Sequence, residues 1–515
     1  MMNCSYHIET FYVTTFIVFV KNNKIVNSKD AARWGLNTAA IMDLGQRLYG
    51  FWERFSGCLR THRHDTSAYG LIYLKGLLTL AVRRNYKEIA RRIESPDSDG
   101  QNLQQFMSDS PWLGMNIFDQ IQAEIGQDER LQGGMLTLDE CGDKCAGDTS
   151  AGAARQYLGN LGKVDLGQVG VGLGYFCPGD PASGLPDIWA LVAADLFLPK
   201  GWLDKTSKAE RERLHIPADR TFKTKLEIGL ELIDRAIANK LPFTRMSFDS
   251  LYGRNHDFRQ KIDERGILYL ADIPANLNVY LDQPEVGLPT PVEGRRGRKP
   301  TRPKVLNGVK SFEARQVAQQ PETVFETVDL RPCERGRLIY PCAARPVWTI
   351  TTTGEVRRET LFIRRESDGD LTYALSNAPL ETSLATLAQW RSERYFVERT
   401  FQDAKSEGGW DELQAHKFRA WMHHAAFTGL ALWFIALTKL DWATQFPPDP
   451  QLKEELEVDK LPALSMANIR LLLQVVMPQK QLTLEQAIEW VVLFRLQRAA
   501  STRCRLKKQR KINSP

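Results

Sequence analysis

Apolar residues recur every three to four positions over residues 42–130. Leu44, Leu48, Phe51, Trp52 and Phe55 fall on one helical face, and Leu71, Leu74, Leu77, Leu78 and Val82 on another. That period predicts amphipathic helices. Residues 85–93, NYKEIARRI, read as a short basic amphipathic helix stopped at Ser95-Pro96, a pattern equally suited to touching DNA or to plain packing. From Leu131 the period changes. Met135-Leu136-Thr137-Leu138 is a short strand running into Asp139, and residues 164–176 alternate with glycines as one or two strands. A helix over 222–241, a strand over 243–248 ending at Asp249, a helix over 255–265 and a strand over 267–273 follow. Strands alternating with helices indicate an α/β core.

Residues 275–380 break this alternation with prolines, a basic loop and short β-like runs at 323–330, 347–352, 359–363 and 371–375. They read as a β-rich insertion. After Glu381 the pattern is helical to about Lys439, and the apolar run 425–437 reads as a buried helix too short for a membrane span. A further amphipathic helix is expected over 484–497. The resulting partition is an N-terminal extension (1–41), a helical region (42–130), a core in two parts (131–274 and 381–440) split by the insertion (275–380), and a C-terminal helical region with a basic tail (441–515). The extension is set apart because 11–20 is apolar without a basic segment before it, and the helical pattern begins at Met42.

Composition adds little until its distribution is considered. The net charge is only +6 over 515 residues. However, 294–304 (GRRGRKPTRPK) holds Arg295, Arg296, Arg298 and Lys299 with no acid, and the tail from Ser501 carries six basic residues and none acidic. Such blocks are natural phosphate contacts, although a solvated linker and a frayed terminus have the same composition. Eight scattered cysteines lack framework spacing and point to free thiols in a cytoplasmic protein. Cys141 and Cys145 have no second pair at zinc spacing, and His62/His64 and His423/His424 read as surface or packing residues.

The candidate chemistry lies in the carboxylates. Two-metal phosphoryl transfer needs oxygen ligands brought from separate places, and Mg²⁺ suits it because it takes few protein carboxylates and keeps positions open for phosphate and water. Asp139 and Asp249 each end an expected strand, a common place to gather such ligands in an α/β sheet. The third would come from Arg394-Tyr-Phe-Val-Glu398, which runs on to Lys405. On a continuous helix Arg394, Glu398 and Lys405 fall within about 40° of one another, leaving Phe396, Phe401 and Ala404 to face the core. Each piece alone has a plainer reading, a strand-terminal cap or a surface ion-pair ladder.

Taken together these residues resemble the DDE transposases of bacterial insertion sequences, in the group marked by a Tyr-x2-Arg-x3-Glu-x6-Lys signature. Arg394, Glu398 and Lys405 match its last three members, while position 391 is Arg where the signature has Tyr. Asp249-Ser-Leu-Tyr252-Gly253 is similar to the second-Asp motif, and Leu138-Asp139-Glu140-Cys141-Gly142 with ARQYLGNLGKVDLGQVGVGLGYF (154–176) to the first-Asp block. The resemblance spans roughly residues 44–440. It implies an RNase H-like catalytic core with the β-rich insertion before the helix bearing the Glu, and an N-terminal helical DNA-binding region. It implies Asp139, Asp249 and Glu398 as ligands of Mg²⁺, with Mn²⁺ able to substitute. Arg394 and Lys405 would be DNA-phosphate contacts, joined by the basic loop. Terminal inverted repeats and target DNA would be the partners, with a homodimer in the DNA complex and no membrane. Glu140, beside Asp139, leaves a second choice for the first ligand. A stand-alone RNase H-like nuclease or a catalytically inactive DNA-binding relative are the alternative expectations.

Overall fold

The computed structural model describes residues 31–512 apart from 62–64, 82, 181–182, 290–300, 334–335, 413–415 and 482. The basic residues Arg295, Arg296, Arg298 and Lys299, the run 11–20, His62 and His64 lie outside the described residues.

Among the described residues, four helices of nine residues or more precede the first strand: α1 (Leu44–Ser56), α2 (Ser67–Thr79), α3 (Gln101–Asp109) and α4 (Gly114–Gln127). On α1 the residues at helical spacing, Leu44, Leu48, Phe51, Trp52 and Phe55, are all buried, as the 3.6 period requires of a helix with one face on a core. The basic segment after α2 divides into a helical turn at Tyr86–Ile89, capped by Asn85, and a wider-wound turn at Ala90–Glu94. It packs: an ideal Cβ on Gly76 of α2 would stand 2.4 Å from the Ile89 side chain, so glycine is what lets the two backbones approach.

The sheet follows. β1 (Gly134–Lys144), β2 (Ala154–Leu158), β3 (Lys163–Cys177), β4 (Ile188–Phe197), β5 (Phe243–Phe248) and β6 (Leu268–Ile273) form its first half. β4 and β2 share one edge of β3, and the order continues β3-β1-β5-β6. β1, β5 and β6 are parallel, while β3 is antiparallel to β1. β1 runs six residues beyond Leu138, so Asp139 is inside the strand rather than at its end; β3 continues the ladder through Lys144 after β5 has stopped.

The second half grows from the free edge of β6. β14 (Leu371–Ser376) pairs with β6, then β13 (Val356–Arg365), then β12 (Gly336–Ile350). β11 (Glu326–Cys333) and the short β7 (Asn278–Tyr280) pair with β12, and β10 (Ser311–Glu313) with β7. The β-rich stretch therefore extends the same sheet. A separate two-residue ladder, β8 (Val286–Gly287) with β9 (Lys304–Val305), brackets the basic loop.

Helices cover both faces. α5 (Lys225–Ala238) and α6 (His256–Glu264) belong to the crossovers into β5 and β6. The helical stretch expected after Glu381 is divided into three helices. α7 (Leu384–Glu393) ends at Arg394, α8 (Tyr395–Ser406) begins after it, and a loop separates α8 from α9 (Phe418–Gln445). Among the described residues α9 alone is long and apolar enough to cross a membrane, and 89% of its apolar window is buried in the protein. His423 and His424 lie on it as packing residues, His423 stacked on Trp112 at 3.5 Å and His424 bonded to Tyr73 at 2.8 Å.

The C-terminal part adds α10 (Met466–Val476) and α11 (Leu484–Ile512), the latter taking in most of the basic tail. Residues 31–41 are not detached from the rest. Arg33 donates to Asp449 at 2.8 Å and to Glu455 at 2.7 Å, and an ideal Cβ on Gly35 would strike the Phe446 carbonyl oxygen. The expectation that everything before Met42 stands outside the fold thus fails for these residues.

Candidate active site

Parallel pairing sets the three acids of the site in one rank. Leu138 of β1 is opposite Phe248 of β5, and Phe248 is opposite Ala271 of β6. The next residue on each is an aspartate: Asp139, Asp249 and Asp272. Neighbouring strands lie about 4.8 Å apart, so the register brings three carboxylates to the same level. Asp249 leaves its strand and caps the turn Ser250–Gly253, accepting from the Leu251 amide at 2.9 Å and the Tyr252 amide at 3.4 Å. Asp249 thus makes the cap that its place at the strand end allows. Gly253 explains the end of its motif, since an ideal Cβ there would stand 2.0 Å from the Asp272 carbonyl oxygen.

Alternation along β1 sorts its acids by face. Leu138 and Glu140 face α5; Gly229 of that helix packs on Leu138, and Lys225 at its start forms an ion pair with Glu140. Thr137, Asp139, Cys141 and Asp143 face α8. Glu140 is thereby committed to a lysine on the opposite side from Asp139.

α8 lies close to the sheet because β3 offers glycine at every second position. An ideal Cβ on Gly172 would meet the Phe401 ring at 2.9 Å, one on Gly174 would meet Thr137 at 2.6 Å, with Thr400 next at 3.4 Å, and one on Gly170 would meet the Trp421 ring at 2.5 Å. Phe396 stacks on Phe176 at 4.0 Å, and Phe396, Phe401 and Ala404 are buried, as expected. Asp403 accepts from the Trp189 indole at 2.9 Å. Arg84 donates to the carbonyls of Ser406 and Glu407, and Arg470 also reaches Ser406, so two guanidinium groups hold the C-terminal end of α8, where its dipole favours cations.

Arg394 occupies the break before α8 and is the meeting point. Its guanidinium is 3.2 Å from Asp272, 3.9 Å from Asp139 and 3.9 Å from Glu398. Arg391, one turn earlier, is 3.1 Å from the other oxygen of Asp272. Glu398 is the open member, with 68% of its side chain exposed. Lys405 does not join this group; it pairs with Asp143 at 3.5 Å beside Cys141. Among the described residues no three metal-ligating side chains converge as a ready cluster.

Burial dominates the electrostatics of the acids. Burial pushes the Asp139 carboxyl up to about 7; Arg394 opposes this and Asp249 adds to it. Asp249 is raised by burial too, against Arg394, with Asp272 adding repulsion. Burial alone would lower the Lys405 ammonium, but Cys141 and Asp143 raise it above the ordinary range. Hard oxygen donors with uncompensated charge suit a divalent cation, so the residues present fit one.

The fold and this geometry can be set beside known proteins. The family described as DDE superfamily endonuclease matches residues 54–337. The chain belongs to the DDE endonuclease superfamily. The matched stretch contains Asp139 and Asp249 and stops before the segment bearing Glu398. The chain is also similar to the "Probable transposase for insertion sequence element IS701" of Microchaete diplosiphon, 29% identical over 203 residues. That alignment covers 39% of this chain and 47% of the relative, so the chain spans about half the length of the curated relative it matches.

Sequence reasoning missed Asp272 and the partner of Arg391. The signal was available, because the strand 267–273 carries an aspartate near its end as the strand before Asp249 does.

Proposed function

We propose that this chain is an insertion-sequence transposase that cleaves and joins DNA at element ends, with divalent ions held by Asp139, Asp249 and Glu398. The observation that carries the reading is Arg394. It joins the strand-borne Asp139 and the helix-borne Glu398 of the signature through a single guanidinium. The strand order β4-β3-β1-β5-β6, with β3 antiparallel to β1 and with β1, β5 and β6 parallel, supports an RNase H-like core. The helices before β1 then serve as a DNA-binding region, and the β-rich stretch is an insertion between the two parts of the core.

A bound Mg²⁺ or Mn²⁺ would supply Lewis-acid stabilisation of the phosphate and an activated water or hydroxyl. The protein residues have separate tasks. Asp139 and Asp249 hold charge in a half-buried rank, and Glu398, largely open to solvent, closes the set from α8. Arg394, Lys405, Arg295, Arg296, Arg298 and Lys299 contact DNA phosphates. Terminal inverted repeats and target DNA are the partners, a homodimer is the working unit on DNA, and the protein acts in the bacterial cytoplasm at the nucleoid.

The test is cleavage of DNA carrying the element's own ends. Wild-type protein is expected to cut with Mg²⁺ or Mn²⁺ and to stay inactive in EDTA or Ca²⁺. Glu398→Gln is expected to abolish cutting and retain end binding. Arg394→Ala and Lys405→Ala should weaken binding and reduce its log-log salt slope by about one each. Cutting by Glu398→Gln at the wild-type rate would overturn the reading.

A further inference from the structure

The departure from the signature at position 391 has a structural counterpart. Arg391 and Arg394 straddle the joint between α7 and α8, and each places its Nε near a different oxygen of Asp272, at 3.1 Å and 3.2 Å. All three side chains are largely buried, with exposures of 13%, 12% and 16%. Asp272 is rigidly seated. Its strand pairs on both sides, with β5 and β14, and Gly253 presses on its carbonyl. The joint is pinned also by Glu393, which accepts from Arg245 of β5 at 2.5 Å, and by Phe396 stacked on Phe176. Asp272 therefore has a choice of work. It is level with Asp139 and Asp249, yet two cations face it.

We propose that Asp272 is a positioning residue which, shared with Arg391, holds the Arg394 guanidinium back from Asp139 and Glu398 and so keeps that pair available to a divalent cation. This rests on the metal-binding reading of the site. The distances give the mechanism its direction. Arg394 sits closest to Asp272 and 3.9 Å from both other acids, a separation at which it screens them without a direct hydrogen bond. If Asp272 loses its charge, the strongest attraction left to Arg394 is the Asp139–Glu398 pair, and the guanidinium competes with the cation. Arg391 acts in the opposite sense, since it draws on the same carboxylate and weakens the hold on Arg394.

The experiment is Mn²⁺ titration of the metal-free full chain by calorimetry, with Asp139→Asn as the control for site occupancy. Asp272→Asn is expected to weaken Mn²⁺ binding by about 10-fold to 100-fold, the range found when the partners of metal-site residues are removed. Arg394→Gln added to Asp272→Asn should restore most of the affinity, because the competitor is gone; a residue that only supported the fold would not be rescued this way. Arg391→Gln, which retains the acid, should leave affinity unchanged or raise it, and serves if Asp272→Asn does not fold. Wild-type affinity in Asp272→Asn, failure of the second substitution to rescue, or weakening by Arg391→Gln would each overturn the proposal while leaving the metal site standing. Wild-type protein that binds no Mn²⁺ through Asp139 would remove the underlying reading, and the proposal with it.

Discussion

Replacing Asp139 by Asn is expected to stabilise the metal-free protein at alkaline pH while abolishing its chemistry. The carboxyl is raised from an ordinary 3.8 to about 7, chiefly by burial, with Arg394 opposing and Asp249 assisting. The sign follows from proton uptake. Between those two values the folded protein holds a proton that the unfolded chain has released, so stability falls as pH rises through the window and the full cost is present above 7. That gap corresponds to roughly 4 kcal/mol at about 1.36 kcal/mol per pH unit. With 24% of the side chain open to solvent, screening reduces it to an expected cost of about 2 kcal/mol. Asparagine is neutral throughout. The variant should therefore match wild type near pH 4 and exceed it by about 2 kcal/mol near pH 8, a few degrees in Tm. Thermal or urea unfolding in EDTA at the two pH values reads this directly. Mn²⁺ added at pH 8 should stabilise wild type and leave the variant where it was. A variant less stable than wild type at pH 8, or an equal difference at both pH values, would refute the argument.

Three further outcomes follow from contacts described above. Gly172→Val would push on the Phe401 ring, 2.9 Å from the new Cβ; it should cost about 1–3 kcal/mol as overpacking does, and DNA cleavage should fall far more than unfolding stability. Glu359→Gln would leave Arg259 without its partner in a pair that is wholly buried on both sides. The expected cost is about 3–5 kcal/mol, measured by urea unfolding. Burial would raise Glu359, but Arg259, Thr349 and Tyr269 hold it down at about 2, so its contribution should persist at neutral pH and disappear as pH falls through that value. A chain beginning at Met42 loses the Arg33 ion pairs with Asp449 and Glu455. These are partly exposed, so its Tm should drop by a small amount, with each pair contributing less than about 1 kcal/mol; an unchanged Tm would show that residues 31–41 add nothing.

Much of the sheet was legible because its strands obey simple periods. Residues 243–248 and 267–273 lie where the sequence places them, and α5 and α6 fall within their expected spans. β4 was not legible: IWALVAADLF is apolar with no alternation, since all but its last residue are buried, and such a run cannot be told from a helix by period. The site was half legible. Strand ends drew attention to Asp139 and Asp249, but register, which a sequence does not display, is what adds Asp272 to their rank. The spacing of Arg394, Glu398 and Lys405 assumed one continuous helix. The break at Arg394 instead turns that residue in toward the aspartates, and Lys405 goes to Asp143. In the sequence the glycines of β3 read only as part of an alternating strand; they are the groove that lets α8 come down on the sheet.

β6 has one further consequence. Tyr269 and Ala271 pack into the main core, whereas Leu270 and Ile273 belong to the two smaller apolar clusters of the β-rich half. A six-residue strand thus serves as a wall common to all three. Neither half can melt alone without exposing the other's buried face and opening a ladder edge, which couples them thermodynamically. The β-rich half should behave in calorimetry as part of a single transition with the core rather than as an appended module. A protease cut within it would then lower the melting temperature of the residues around Asp139 as well.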